Sequence, residues 1–247
     1  VDGRRVPPNT AIPVRAGSRL ECGRRIRGAR GYIAIAGGID TPLVLGSRAT
    51  HVPSAMGGLD GRALKAGDEL PVGRASVASG FSRTAPTFAL PEGPAIVRVL
   101  PGPQADRFAA GALGALQSAP YRIGTDSNRM GYRLSGPPLE HAKSADIISD
   151  ATPLGVLQVP ASGQPILLMA DRQTTGGYAK IAAVISADIC VAGQLAQGDE
   201  IRFTVCSPAE ALAALIVPPN TITSLRPAML PIDSSASTSA VCSVGVK

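Results

Sequence analysis

The sequence has no long hydrophobic run, and this absence excludes a class of structure. A membrane-spanning helix needs roughly 18 to 20 consecutive apolar residues, whereas no apolar run in the 247 residues, including the one at positions 165–170, approaches that length. The four cysteines stand far apart with no C-x-x-C motif, and His51 and His141 are the only histidines. This spacing supports neither a disulfide framework nor a zinc site. We therefore predict a soluble cytoplasmic protein without membrane contacts or metal ligands.

Several common catalytic motifs are also missing. The sequence contains no G-x-x-x-x-G-K-[ST], no G-x-S-x-G and no S-x-x-K. A P-loop ATPase acting alone and the common serine hydrolases are therefore not supported. A lone histidine is more often a surface or hydrogen-bonded residue than a base, so we expect neither histidine to be catalytic.

Positive charge is concentrated in the first thirty residues. Eight of the 24 basic residues lie there against Asp2 and Glu21, which leaves sixteen bases and sixteen acids in residues 31–247. A generally basic nucleic-acid-binding surface is therefore not indicated. We expect these arginines to face solvent, a missing segment or a partner protein.

The composition favours a β-rich globular protein. Hydrophobic residues make up 45% of the chain, enough for one large core or two smaller ones. The 28 glycines and 22 prolines interrupt long helices, so a turn-rich β architecture is preferred over a helical bundle.

An internal repeat organises the chain. The segment LKAGDEL (64–70) matches LAQGDEI (195–201) at an offset of 131, and at the same offset Asp40 falls on Asp171. We interpret this as a tandem duplication with a first unit at 1–93, a second unit at 94–216 and a mobile tail at 217–247. The second unit is predicted to open with a strand at 95–100 and a helix at 104–116, which the first unit lacks at its N-terminus. Ser207, Pro208 and Glu210 predict a later helix that begins with a capping box.

Two polar segments of the second unit are candidate binding sites. DRQTTGGYAK (171–180) follows the apolar run 165–170, and DSNRMGYRLSGPP (126–138) crowds charged and amide side chains into a short stretch. Their donors suit a carboxylate, amide or phosphate ligand. The alternative is structural: a Gly-Gly turn with a capping aspartate in the first segment, and a turn followed by an edge strand in the second.

The same segments resemble a known family. GYIAIAGGID (31–40), SNRMGYRLSGPPL (127–139) and above all residues 155–189 are similar to the family of the 5-oxoprolinase C subunit and allophanate hydrolase subunit 2, also called biotin-dependent carboxyltransferase-like or Kip antagonist type. The resemblance covers about residues 1–212. It implies two cyclophilin-like β-barrel domains, the first incomplete because the family's glycine-rich N-terminal segment has no counterpart here.

The resemblance also implies a function and the residues that serve it. The expected activity is that of one component of an ATP-dependent 5-oxoprolinase, a lactam hydrolase that converts 5-oxoproline to L-glutamate together with partners of the A type and the B type. ATP is the implied co-substrate, and we expect the isolated chain to be inactive. Asp171 and Tyr178 are the candidate catalytic residues. The candidate substrate- and phosphate-binding residues are Ser127, Asn128, Arg129, Arg133, Arg172, Gln173, Thr174, Thr175, Gly176, Gly177 and Lys180.

Two other functions fit the resemblance. One is a carboxyltransferase or allophanate hydrolase-like component of urea degradation, which would take carboxybiotin from another domain because no lysine here lies in a Met-Lys-Met setting. The other is a regulatory protein that binds a kinase inhibitor resembling the B-type partner.

Overall fold

A computed structural model describes residues 1–75, 93–216 and 242–243. The chain forms two compact units, one of residues 1–24, 32–87 and 222–247, the other of residues 25–31 and 88–221. The short segment 25–31 therefore belongs to the second unit although it lies within the sequence of the first. The division at residue 93 and the extent of the two repeats stay predictions, and the proposed tail at 217–247 lies outside the described residues apart from 242–243.

The second unit contains a closed barrel of seven strands. These strands are β2 Ala95–Pro101, β3 Tyr121–Ile123, β4 Gly131–Ser135, β6 Val156–Gln158, β7 Ile166–Leu168, β9 Lys180–Val184 and β10 Glu200–Val205. Their order around the barrel is β10-β2-β9-β6-β7-β4-β3, and neighbouring strands are antiparallel except for the parallel pair β10 and β2. Two further strands, β5 Asp146–Ala151 and β8 Thr175–Tyr178, form a separate antiparallel ribbon.

Alternation of side chains along the strands fills the barrel. In β2, Ala95, Val97 and Val99 are fully buried while Ile96 is exposed, as the period of two in a strand requires. The predicted strand at 95–100 is thus confirmed. Phe203 of β10 packs against the ring of Tyr121 at a centroid distance of 5.8 Å, inside the same core.

The helix predicted at 104–116 is wrong in its extent. The structure has a 3₁₀ turn at Ala105–Arg107 and a separate helix, α1 Ala112–Ser118. Between them Phe108 is extended, bridges His141 and buries its ring in the core. Burial of this ring outweighs the continuous helix that local propensity favours.

The remaining helices are short. Helix α2 covers Ile189–Ala192, and helix α3 covers Pro208–Ile216. The capping box predicted for α3 is confirmed: Glu210 N donates to Ser207 Oγ at 3.2 Å, and Ser207 N donates to Glu210 Oε2 at 2.7 Å. Among the described helices, none is long and apolar enough to cross a membrane.

The described part of the first unit has little regular structure. It contains a 3₁₀ turn at Val52–Ser54 and a two-residue strand, β1 Glu69–Leu70, paired with β11 Cys242–Ser243. The apolar run 32–36 forms no strand, and Tyr32 is 87% exposed. In the described part of this unit, no hydrophobic side chain is buried.

The mainly β class is confirmed, and the second unit contains a closed mixed barrel. The cyclophilin-like duplication stays a prediction, but the two matched segments do form the same turn. Gly67 and Gly198 have φ of +88° and +85°. The following aspartate accepts a backbone hydrogen bond in each, from Lys65 N at 2.8 Å and from Ala196 N at 2.9 Å.

Candidate functional site

The barrel brings the two predicted polar segments together. Strand β4 pairs antiparallel with β7, so the turn before β4 and the turn after β7 lie at the same end of the barrel. Asp171 N donates to Arg129 O at 2.9 Å. The Arg129 guanidinium donates to the Asp171 carboxylate from Nε at 2.7 Å and from Nη2 at 2.9 Å. This two-bond geometry fixes both side chains relative to one another.

The Arg129–Asp171 ion pair is partly open to solvent. The arginine side chain is 67% exposed and the aspartate 31%. Pairs of this kind contribute only about 0 to 1 kcal/mol to folding, so stability alone gives little reason for it. The pair carries no net charge, but it presents a fixed cation and a fixed carboxylate side by side, which suits recognition of a polar ligand.

Other residues of the 126–138 segment shape its turn. Ser127 Oγ accepts a hydrogen bond from Arg133 N at 3.0 Å, and Asn128 Oδ1 accepts one from Met130 N at 2.8 Å. Gln197 Nε2 donates to Ser127 O at 3.1 Å and closes the turn from outside. Strand β4 lies between β3 and β7 in the barrel, so the edge strand of the structural alternative is wrong. Arg133 is exposed on this strand.

The turn after β7 is held by buried Thr152. Arg172 Nε donates to Thr152 O at 2.7 Å, and Thr152 N donates to Thr174 O at 3.0 Å. The Thr152 hydroxyl donates to Gln173 O. The backbone of residues 172–174 is thus fixed, while the Gln173 and Thr174 side chains are exposed.

Gly176 and Gly177 lie in strand β8, and the predicted Gly-Gly turn is therefore wrong. Gly176 pairs with Asp150 of β5. A Cβ atom at Gly176 would lie 2.6 Å from Gln158 Nε2 and 3.1 Å from Thr152 Cγ2, so a larger residue would have to displace the end of this buried amide side chain. Thr175 and Tyr178, at the ends of β8, are exposed.

Lys180 lies deeper than the rest of the segment. Its side chain is 1% exposed, and Nζ lies 3.0 Å from Asp150 Oδ2, whose side chain is 51% exposed. Gln104 contacts both residues: its Nε2 donates to Asp150 Oδ2 at 3.4 Å, and its Oε1 accepts from Lys180 N at 3.3 Å. The nearby ammonium lowers the pKa of the Asp150 carboxyl.

A cavity of about 310 Å³ lies beside the Arg129 turn. Arg30, from the short segment that joins the second unit, forms part of its wall and donates to Tyr132 Oη at 3.1 Å and to Gly193 O. Gln194 Oε1 accepts from the backbone N–H groups of Ala29 and Arg30, both at 3.1 Å. This arginine is therefore bound to its own unit, in contrast to the solvent- or partner-facing position expected from the sequence.

The predicted residues thus fall into three neighbouring groups. Ser127, Asn128 and Arg129 line the cavity, Arg172 to Thr174 form the fixed turn, and Thr175 to Lys180 follow the ribbon into the barrel.

Sequence reasoning missed Arg30, Gln104, Asp150, Thr152 and Gln158. One of them carried a signal: Gln158 is an amide inside the apolar stretch 156–159 and is 2% exposed. The other four carry no signal in the local sequence and are recognised only in the folded structure.

Neither histidine lies in these groups. His141 stacks on Phe108 at a ring-centroid distance of 4.5 Å, and His51 Nδ1 lies 2.6 Å from Ser54 Oγ in the first unit. Within the described residues, no cluster of three or more histidine, cysteine or acidic side chains could hold a metal ion.

Comparison with known proteins gives a consistent result. A family model described as carboxyltransferase domain, subdomain A and B, matches residues 1–205. The C subunit of the Escherichia coli 5-oxoprolinase is 42% identical over 203 residues, which are 82% of this chain and 64% of that protein. The C subunit of the Haemophilus influenzae 5-oxoprolinase is 38% identical over 198 residues, 80% of this chain and 63% of that protein.

A solved structure also matches. The urea carboxylase of Kluyveromyces lactis has a TM-score of 0.68 and 27% identity, and the match covers 81% of this chain and 20% of that one. The chain spans less than two thirds of the length of the two curated relatives.

Proposed function

Because the chain belongs to the family of the carboxyltransferase domain, subdomain A and B, we propose that it acts as the C-type component of an ATP-dependent 5-oxoprolinase. The observation that carries this proposal is the likeness to two C subunits of such enzymes over about four fifths of the chain. The reaction is the opening of a lactam that bears a carboxylate, with L-glutamate as product. The proposed complex contains A-type and B-type partners, and the isolated chain is inactive.

The polar groups of the second unit support this chemistry. A substrate with a carboxylate and an amide needs cations and hydrogen-bond donors on one side and an acceptor for its N–H on the other. Arg129 and Arg172 supply guanidinium groups, and Thr174 and Thr175 are exposed hydroxyls on adjacent positions. Arg172 Nε and Nη1 donate to Thr152 O and Met169 O, and Nη2 has no hydrogen bond to the described part of the chain, so it can serve a ligand.

Asp171 and Tyr178 are the proposed catalytic residues. Arg129 holds the Asp171 carboxylate by two hydrogen bonds, and a fixed carboxylate can orient an attacking water. Tyr178 is 41% exposed at the end of β8 and can present its hydroxyl as a proton donor. Ser127, Asn128, Arg133, Gln173, the amides of Gly176 and Gly177, and Lys180 complete the proposed set of binding residues.

ATP is proposed as a co-substrate of the whole complex. Arg129 and Arg133 fit phosphoryl oxygens by charge. Among the described residues, no glycine-rich loop leads directly into a long helix, the arrangement that commonly cradles nucleotide phosphates. The proposed contribution of this chain is therefore to bind the substrate and the transferred phosphoryl group.

A second candidate is a carboxyltransferase component of urea degradation, favoured by the structural match to the urea carboxylase. In that function, biotin would arrive on a lysine of another domain. The polar groups named above would then bind urea and the carboxyl group.

The two functions are separated by activity with the partner proteins present. We expect ATP hydrolysis that depends on 5-oxoproline and not on urea. Thr175→Ala and Arg172→Ala should lower that rate by at least tenfold, since each removes a donor from the proposed site.

Thr204→Ala is the matched control, because Thr204 is an exposed threonine on β10 away from the site. Unchanged rates in both site variants would contradict the residue assignment. Turnover of urea alone would favour the carboxyltransferase, and tight pairing with a B-type protein without any turnover would favour the regulatory function.

A further inference from the structure

Lys180 presents an unusual arrangement of charge. Its ammonium is almost fully buried, yet the carboxylate that neutralises it belongs to a half-exposed side chain on the β5–β8 ribbon. An ammonium carries three donors. Nζ lies 3.0 Å from Asp150 Oδ2, but it makes no hydrogen bond of normal geometry to any described residue. Buried polar groups normally have partners, so the unfilled donors indicate that an acceptor is missing.

The groups around Nζ are also loosely bonded. The Gln104 amide reaches Asp150 at 3.4 Å and Lys180 N at 3.3 Å. Gln158, opposite Lys180 in the β6–β9 ladder, donates to Tyr178 O at 3.5 Å and accepts from Gln173 Nε2 at 3.4 Å. These distances lie at or beyond the long end of the normal range. Two amides and one ammonium therefore keep capacity for shorter bonds to another molecule.

Asp150 sits on an element that can move without opening the barrel. Strand β5 pairs only with β8, and its register shifts between Asp146 and Asp150. Five of its six residues are exposed. A two-stranded ribbon is marginally stable by itself. Buried Thr152 anchors the chain just beyond Asp150, so the displacement is confined to the Asp150 side chain and the exposed residues before it.

We infer that Asp150 is an exchangeable internal ligand that occupies a carboxylate-binding subsite formed by Lys180 Nζ and Gln104 Nε2. A small carboxylate displaces it and takes the same two donors, and the released ribbon moves outward to admit it. This inference deepens the proposed function, because it rests on a small carboxylate-bearing substrate, and it assigns the carboxylate of that substrate to Lys180.

The effect of Asp150→Asn on carboxylate affinity distinguishes an internal competitor from a structural salt bridge. If Asp150 competes with the ligand, Asp150→Asn removes the competing charge and tightens binding. If the pair only clamps the ribbon, the same change loosens the structure and leaves carboxylate affinity equal or weaker. Asp146→Asn is the matched control, since it removes one carboxylate from the same strand without touching Lys180.

The probes are L-5-oxoproline and 2-pyrrolidinone, which is the same lactam without the carboxylate. Isothermal titration on the full chain should give a Kd for 5-oxoproline about tenfold lower in Asp150→Asn than in the wild type and in Asp146→Asn. The Kd for 2-pyrrolidinone should not change. Lys180→Met added to Asp150→Asn should abolish the gain, with thermal unfolding used to show that the double variant is folded.

Equal or weaker 5-oxoproline binding in Asp150→Asn overturns the inference, and so does a gain of the same size in Asp146→Asn. An Asp150→Asn chain that binds neither 5-oxoproline nor acetate also overturns it. Carboxylate binding that follows these expectations, in a complex that does not hydrolyse ATP with 5-oxoproline, would overturn the proposed function and leave the subsite standing.

Discussion

In the first unit, the Gly67–Asp68 turn lies in a region with no buried hydrophobic side chain among its described residues, whereas in the second unit the Gly198–Asp199 turn leads into β10 of a closed barrel. The glycine conformation and the hydrogen bond to the aspartate are the same in both. Four or five residues around each glycine are therefore enough to specify the turn, both beside the barrel and in the region without buried hydrophobic side chains.

The partners of the two aspartates differ. Asp68 receives two hydrogen bonds from Arg62, only six residues away. Asp199 Oδ2 accepts a hydrogen bond from Arg25 Nη2 at 2.5 Å, and Arg25 belongs to the distant segment 25–31 that joins the second unit. The first turn is thus self-contained, while the second also anchors a remote piece of chain, and local sequence distinguishes the two poorly.

The largest expected difference between the two units is the loss of unfolding free energy when a core side chain is truncated. Phe203→Ala removes a ring that is 1% exposed and packed on Tyr121, so it should lower the free energy of unfolding by about 3 to 5 kcal/mol. Leu64→Ala, at a leucine that is 42% exposed in the first unit, should change it by less than about 0.5 kcal/mol. Urea unfolding curves measure both. Equal losses would show that the first unit also has a hydrophobic core.

A smaller effect is expected at the two turn glycines. An added Cβ would meet nothing within 4 Å at either position, so alanine introduces only the strain of positive φ, about 1 to 2 kcal/mol. Gly198→Ala should lower the global unfolding free energy by that amount. Gly67→Ala should mainly speed hydrogen exchange at the Asp68 amide, which donates to Lys65 O. A global loss from Gly67→Ala would mean that the two units unfold together.

The smallest expected effect is a pH dependence confined to the first turn. Hydrogen bonds from the Arg62 guanidinium, joined by the Lys65 N–H, lower the pKa of Asp68 to about 2. Because the folded pKa lies below the unfolded one, the stabilisation is complete above about pH 4 and is lost as the pH falls through about 2. Carboxyl-carbon NMR titration should show the Asp68 pKa rising in Arg62→Gln and unchanged in Arg25→Gln. A shift in the second variant would contradict the self-contained description of this turn.

The sequence predicted features whose interacting groups lie close together along the chain, and it missed those that depend on distant segments. The strand predicted at 95–100 and the capping box at Ser207 rest on local patterns, and the structure has both. The joining of the two polar segments was not predicted, because it follows from the pairing of β4 with β7. The helix at 104–116 failed because burial of Phe108 interrupts it. Gly176 lies in β8 because that strand pairs with β5, and its close approach to the Gln158 amide is a long-range contact that no local pattern reveals. The Asp150–Lys180 pair and the position of Arg30 depend on strand order, which spacing along the chain does not specify.

The parallel contact between β2 and β10 has a consequence for biosynthesis. These are the first and last strands of the barrel in the chain, and Ala95 pairs with Ile201. The barrel cannot close until β10 has left the ribosome, so the nascent chain carries the open edges of β2 and β3 until residues 200–205 have been made. Unpaired strand edges are sites of aggregation. We therefore expect the yield of folded protein to depend on chaperones acting during synthesis more strongly than the stability of the finished barrel suggests.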